Sequence, residues 1–535
     1  MASVAAAMIP ARAGVATRSR ALPAAMVAIG LALVGLFGRL MTYPLRHDEQ
    51  MYLPIATMLA HGRLYDDYGF NNLPNLPLLM HAVLRVTGAE QVLLAGRLTI
   101  FAGWLVAATA MLLLVRRLTR SWPLGALAAL LLLTHPLLLG PAGMLVTNNF
   151  LPLAFVLMAT YLLIAGADRD VPAPLLVAAS GLCLGVAAGF KANYVFALPP
   201  FALAALLAPA RLRAATRMRR VTLPFVAGGI VGALPPLIYL AKDPGGFVTH
   251  VLGYHSGPHV AYWTANADLD GAKILDLPGK LVLAAKVWLV SPAGLIAAAL
   301  LLAATAAWRL RGYGAARVRW PHRLIVALLL GGVLVSFVPS PAFPQYYAPP
   351  VPFAIALAVT LAGRIKGRSR AAALLLLLGA LLLSAPRLAL GWPDAVRSAR
   401  WTGTVTHDQG QRLAALLRAE RRGATIATLA PLYAVEGGLA VPAALATGPL
   451  VYRVGDYVPL RQRQHYANWV SPTTIDELLA ASPPAAVLVG FEGKLDGPLA
   501  SFARSRRYRR IVLPWLSDRY GSGTLYLAPA ASISS

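Results

Sequence analysis

The sequence predicts an all-α polytopic membrane protein of about eleven transmembrane helices, followed by a small C-terminal α/β domain outside the membrane. Three observations predict it. Of 535 residues, 58% are hydrophobic and only 13% charged, with a mean hydropathy of +0.63, well outside the usage of soluble globular chains. Apolar runs matching the roughly 20 helical residues that a hydrocarbon core requires recur from Ala21 to Leu390. Beyond Trp392 charged residues become frequent, and short apolar segments alternate with a helical pattern.

The first run, residues 22–40, follows Arg12, Arg18 and Arg20. It reads as an uncleaved first span, because it exceeds a signal-peptide h-region and lacks a small-x-small cleavage site. Spans are expected at 21–41, 91–115, 122–140, 145–167, 172–190, 193–209, 221–241, 281–305, 324–338, 348–362 and 371–390. Their connections alternate in charge. Those at 116–120, 168–170, 211–220, 309–323 and 364–370 hold most of the basic residues, which places them and the tail 1–20 on the cytoplasmic side. Loops 42–90, 141–144, 191–192, 242–280 and 339–347 then face outward. An odd number of spans delivers the domain 391–535 to the same outer, periplasmic side of the inner or plasma membrane.

In that domain, residues 424–429, 485–489, 510–514 and 524–527 have strand character and 473–481 helical character. The net charge of +27 and the pI near 10.8 are a topology signal, not the footprint of a nucleic-acid binder. The single cysteine, Cys183, rules out an intrachain disulfide.

Acidic residues are scarce, yet Asp48 and Glu49 stand together immediately after the first span. Such a pair is either a solvated helix end ion-paired with Arg46, or a carboxylate at headgroup level acting as a base or a cation ligand. Residues 50–60 fit an interfacial helix, and 65–77 carry turn chemistry through Tyr65, Asp66, Asn71, Asn72, Pro74, Asn75 and Pro77.

This layout resembles the first outer loop of the GT-C glycosyltransferases, in particular the protein O-mannosyltransferase and lipid A aminoarabinose transferase family. Two further segments share the resemblance. Gly185-Val186-Ala187-Ala188-Gly189-Phe190-Lys191-Ala192-Asn193-Tyr194 looks like the family's small-residue helix ending in lysine, and Phe343-Pro344-Gln345-Tyr346-Tyr347-Ala348-Pro349-Pro350 looks like its aromatic, proline-rich late loop. The resemblance covers residues 20–390. It implies an inverting transfer of a sugar from a polyprenyl-phosphate donor to a hydroxyl of a lipid, glycan or protein acceptor, with membrane lipids as surroundings and no nucleic acid.

On that resemblance Asp48 is the base, and Glu49 either shares the work or orients it. Lys191 is the candidate for the donor phosphate, the alternative being a snorkelling lysine. Tyr346 and Tyr347 are candidates for phosphate or sugar contact, and Arg97 is either a phosphate partner or a snorkelling side chain. Thr147-Asn148-Asn149 departs from the acidic residue of many relatives, leaving Asn148 to hydrogen-bond a sugar. A divalent cation, Mg or Mn, would be held at Asp48 if at any residue. His255 and His259, in the loop 242–280, are expected to shape the acceptor side rather than to hold zinc. Two other classes remain open: a lipid or polysaccharide transporter or flippase, and an enzyme like the O-antigen polymerases and ligases.

Overall fold

The computed structural model describes residues 13–266, 274–310, 319–420, 425–466 and 469–529. Arg12, with most of the tail 1–20, part of the loop 242–280, the centre of the basic connection 309–323, and Ala424 lie outside the described residues.

Helices cover every segment expected to span, but several are shorter than the apolar runs. Among the described residues four are long and apolar enough to cross a membrane: Leu22–Met41, Val92–Thr119, Pro292–Arg309 and Gly367–Val396. A fifth is the bent pair Ala214–Gly232 and Leu234–Lys242, which turns by 63°. The bend has a cause in Pro235 and Pro236, since proline lacks an amide donor and clashes with the preceding turn. Shorter apolar helices pack with them, among them Trp122–Leu133, Leu151–Ala167, Pro174–Phe190 and Val351–Ala362.

The two expected spans 122–140 and 145–167 are both interrupted. The first helix ends at Leu133, ahead of Pro136, and the second begins only at Leu151. Between them Gly140 takes φ −106° and ψ −158°, and Thr147–Phe150 form no regular helix. Unwound backbone at this depth is tolerable only where protein or a cavity receives its polar groups. The expected span 281–305 likewise divides into Leu277–Trp288 and Pro292–Leu310.

Small residues set the closest helix contacts. A Cβ on Gly181 would lie 2.0 Å from the Phe225 carbonyl oxygen, and one on Gly228 would lie 1.9 Å from that of Ala178. Helices 174–190 and 223–232 therefore touch backbone to backbone, the small-residue packing that substitutes for hydrophobic driving force in lipid. Gly35 and Gly391 bring the first helix and residues 386–396 together in the same way.

The C-terminal region is a four-stranded mixed sheet of β1 (Ile426–Thr428), β2 (Ala486–Val489), β3 (Arg509–Ser517) and β4 (Ser522–Leu527). Its order is β1-β2-β4-β3, with β1 parallel to β2 and the other pairs antiparallel. The edge strand β1 and the inner strand β2 are both fully buried. Helix Thr402–Ala419 packs along Val92–Thr119, with Gly403 lying against the Leu94 backbone. The buried carboxylate of Glu436 accepts the Leu93 amide at 2.7 Å and lies 2.9 Å from His407 Nδ1. The side-chain oxygen of Gln50 accepts the Leu432 amide at 2.8 Å. The sheet region is thus fixed directly onto the loop that carries Asp48.

Candidate active site

A helix of six residues, His47–Tyr52, follows the first long helix, with Asp48 and Glu49 in its first turn. Successive residues on a helix point about 100° apart, so two adjacent carboxylates cannot serve one site. Glu49 is fully buried and takes a bidentate pair of hydrogen bonds from Arg97, Nε to Oε1 and Nη2 to Oε2, each 2.7 Å. Its Oε1 also accepts the Val146 amide at 3.1 Å, and Arg97 Nη1 donates to the Leu40 carbonyl at 2.6 Å. Neither Glu49 nor Arg97 lines the cavity described below, so Glu49 does not share the base work there, and buried Arg97 is neither a phosphate contact in the cavity nor a snorkelling side chain. They knit the first loop to helix 92–119 and to the unwound segment 145–150.

Asp48 turns the other way, into a cavity of about 730 Å³. That is the size of a pocket for a large small-molecule group. Lys191 stands on the same wall. It lies where helix Pro174–Phe190 gives way to the short turn Ala192–Ala197, in extended backbone at φ −153°. Its Nζ donates to Asn149 Oδ1 at 2.5 Å and lies 4.5 Å from the centre of the Tyr346 ring. Asn148, exposed to the cavity by the same unwound segment, donates through Nδ2 to Asn72 Oδ1 at 3.1 Å. His255 and His259 form part of the opposite lining, His255 Nε2 donating to the Asn71 carbonyl at 2.8 Å.

Tyr347 is the third corrected expectation. It is fully buried outside the cavity, its hydroxyl donating to the Lys280 carbonyl at 3.0 Å while its own carbonyl accepts Trp288 Nε1 at 2.9 Å. It anchors the late loop so that Tyr346 faces inward.

The sheet region contributes a residue that the sequence reading did not single out. Arg453, just after the short helix Pro449–Tyr452, lines the cavity with its guanidinium 5.1 Å from the Trp263 ring centre. Its Nε is buried without a hydrogen-bond partner. No spacing or motif distinguishes it among 48 basic residues. From the same region Glu492 Oε1 reaches 2.5 Å from His47 Nδ1, and Tyr520 lies with its ring centre 3.5 Å from that of His47.

The electrostatics follow from removal of these groups from bulk water. Burial raises the Asp48 carboxyl above the ordinary carboxylate range, against the pull of Arg453, His47 and Lys191. Burial lowers the Lys191 ammonium to about 7, with Asp48 opposing the shift. The imidazole of His255 is pushed down to about 4 by burial, and that of His259 well below its usual value. Both are therefore neutral near pH 7. The lining includes one carboxylate, Asp48, against Arg46, Lys191 and Arg453. Among the described residues no three His, Cys, Asp or Glu side chains gather as a metal site. A single carboxylate facing fixed cations is a poor cradle for Mg or Mn and a good one for an anion.

Comparison with solved structures places this geometry. ArnT from Cupriavidus metallidurans bound to undecaprenyl phosphate superposes with a TM-score of 0.60 at 16% identity, over 95% of this chain and 98% of that one. The chain shares the fold of this ArnT. The apo form of the same ArnT gives a TM-score of 0.59 at 16% identity, over 94% and 97% of the two chains. The apo oligosaccharyltransferase of Archaeoglobus fulgidus gives 0.50 at 12% identity, over 97% of this chain and 75% of that one. No family model matches the sequence, and no curated protein matches it. The likeness in fold to ArnT extends beyond residues 20–390 to include the C-terminal sheet region, since it covers 95% of this chain.

Proposed function

We propose that the protein is a membrane glycosyltransferase that moves a sugar from a polyprenyl-phosphate donor to an acceptor hydroxyl, with inversion at the anomeric carbon. The observation that carries this reading is the convergence of one carboxylate, Asp48, and two cations, Lys191 and Arg453, on one cavity beside apolar helices. An ArnT of the same fold is described with undecaprenyl phosphate bound, a ligand combining phosphate with a long apolar tail.

In the proposed displacement the acceptor oxygen forms a bond to the anomeric carbon as its proton passes to the Asp48 carboxylate. The bond from that carbon to the phosphate oxygen breaks, and the lipid phosphate leaves with an added negative charge. Lys191 and Arg453 stabilise that charge in a site where few waters compete. Tyr346 holds the Lys191 ammonium over its ring face, and Asn148 and Asn149 supply hydrogen bonds for sugar hydroxyls. The reading includes the eleven spans, a cytoplasmic N-terminus and the cavity and sheet region on the outer side of the inner or plasma membrane. Acceptor approach is assigned to the wall formed by His255, His259 and Trp263.

The test is the purified full chain with undecaprenyl-phosphate-linked sugar, followed for release of undecaprenyl phosphate. Asp48→Asn should lower kcat by about 10²–10⁴ while leaving donor binding in place. Equal turnover by parent and variant refutes the base assignment. Movement of intact donor between leaflets with no bond cleavage by the parent refutes the transferase reading in favour of a transporter.

A further inference from the structure

The long helix Val92–Thr119 joins two cavities. Arg97 lies beside the candidate active site, and Arg117 lies 20 residues further along, about 30 Å away and so about one hydrocarbon thickness. At that far end is a second cavity of about 560 Å³. We propose that it binds the phosphate headgroup of an anionic phospholipid on the membrane face opposite the active site.

Its lining includes five arginines, at 116, 117, 120, 211 and 319, against two aspartates, Asp168 and Asp170. They come from three separate connections, and a carboxylate draws them together. Asp168 is 2.9 Å from Arg319 Nη2 and 3.7 Å from Arg211 Nη1, and its backbone carbonyl accepts Arg117 Nη2 at 2.8 Å. The Arg116 guanidinium lies 3.9 Å from the Trp122 ring centre, which fixes its plane at the wall. Arg120 ends its helix at φ 58°, a conformation that glycine adopts most cheaply. Keeping an arginine there puts a further cation on the cavity.

A bias of arginine towards inner loops sets topology without any cavity, because scattered cations suffice for that purpose. Here the cations converge on a shared concavity. The excess of five positive over two negative side chains leaves three positive charges, a match for a group carrying one or two phosphodiesters. Helix Trp122–Leu133 begins at this wall, adding the positive end of its dipole. Near the rim in sequence, Val171, Leu175 and Leu207 are 64%, 85% and 63% exposed, apolar surface suited to acyl chains. That surface favours a lipid over a soluble phosphate compound with the same headgroup chemistry.

The experiment measures binding of cardiolipin, phosphatidylcholine and inorganic pyrophosphate to the purified full chain in detergent, by native mass spectrometry and titration. Arg116 and Arg120 are replaced because Asp168 keeps Arg211, Arg319 and Arg117 as partners. Cardiolipin should bind at least about tenfold tighter than phosphatidylcholine, and R116A/R120A should lose about 10- to 30-fold of that affinity. R116K/R120K, which keeps both charges, should stay within about threefold of the parent and separates lost binding from lost folding. Undecaprenyl phosphate retention at the other end should not change in either variant. Cardiolipin binding that is equal in parent and R116A/R120A overturns the site. Pyrophosphate binding with the same arginine dependence and no preference for cardiolipin overturns the lipid assignment and makes the occupant a soluble phosphate.

Discussion

If Lys191 holds the donor phosphate as an ammonium, replacing it by arginine should remove one side of the pH profile and leave the other. Burial lowers the Lys191 ammonium to about 7, so it loses its proton as pH rises through neutrality. About half of the free enzyme carries the charge at pH 7 and about a tenth at pH 8. Binding of donor through a protonated lysine then makes kcat/KM fall about tenfold per pH unit on the alkaline side. An arginine at 191 stays charged throughout this range, so Lys191→Arg should flatten that limb whatever its absolute rate. The acidic limb should persist in that variant, because it reports Asp48, whose raised carboxyl must lose its proton to act as a base. Lys191→Met removes a charge-assisted contact of about 1.5–3 kcal/mol, or about 10- to 150-fold in kcat/KM. The assay is initial-rate release of undecaprenyl phosphate from pH 5 to 9 at sub-saturating donor. An alkaline limb that survives unchanged in Lys191→Arg would refute the assignment of that limb to Lys191.

Three further outcomes are expected. Arg453→Ala should raise KM for the donor about 10-fold or more while leaving the melting temperature in detergent within a few degrees; an unchanged KM removes Arg453 from the phosphate site. Arg97→Met leaves the Glu49 carboxylate buried without its partner and should cost about 3–5 kcal/mol, read as a large drop in thermal stability, with Glu49→Leu/Arg97→Met recovering much of the loss; a parent-like melt for the single variant contradicts the pairing. Gly228→Leu should separate helices 174–190 and 223–232, because even a Cβ would lie 1.9 Å from the Ala178 carbonyl oxygen, and a variant that melts as the parent does would show that the backbones are not in contact.

How much was legible in the sequence depended on the range of the interaction. Apolar runs report removal from water, which is local, so each expected span contains helix, though several are interrupted, and the strand segments at 485–489, 510–514 and 524–527 all fall in the sheet. Composition did not report where those runs unwind. Residues 145–150 fall inside an expected span, but Val146 donates to Glu49 and Asn149 accepts from Lys191, contacts 97 and 42 residues apart in the chain. Asp48 and Glu49 are neighbours with the same chemistry, and only the presence of Arg97 on a packed helix separates them. Tyr346 and Tyr347 divide in the same manner, one beside Lys191 and the other tied to Lys280.

The joint between the bundle and the sheet region changes what that region can be. A freestanding acceptor-binding domain would meet the bundle through an exposed, polar surface, as separable domains do. Here Glu436 is buried with the Leu93 amide and His407, Gln50 is buried with the Leu432 amide, and Glu492 lies against His47 next to Asp48. Breaking these contacts would strand polar groups in an apolar setting, so detachment is costly. It would also withdraw Arg453 from the cavity. We therefore expect deletion of residues 393–535 to abolish both donor retention and transfer, even if the truncated bundle inserts and resists proteolysis. Retention of undecaprenyl phosphate at parental affinity by that truncated chain would show that the bundle alone holds the donor. In that case the sheet region would be a separate module, and Arg453 a packing residue.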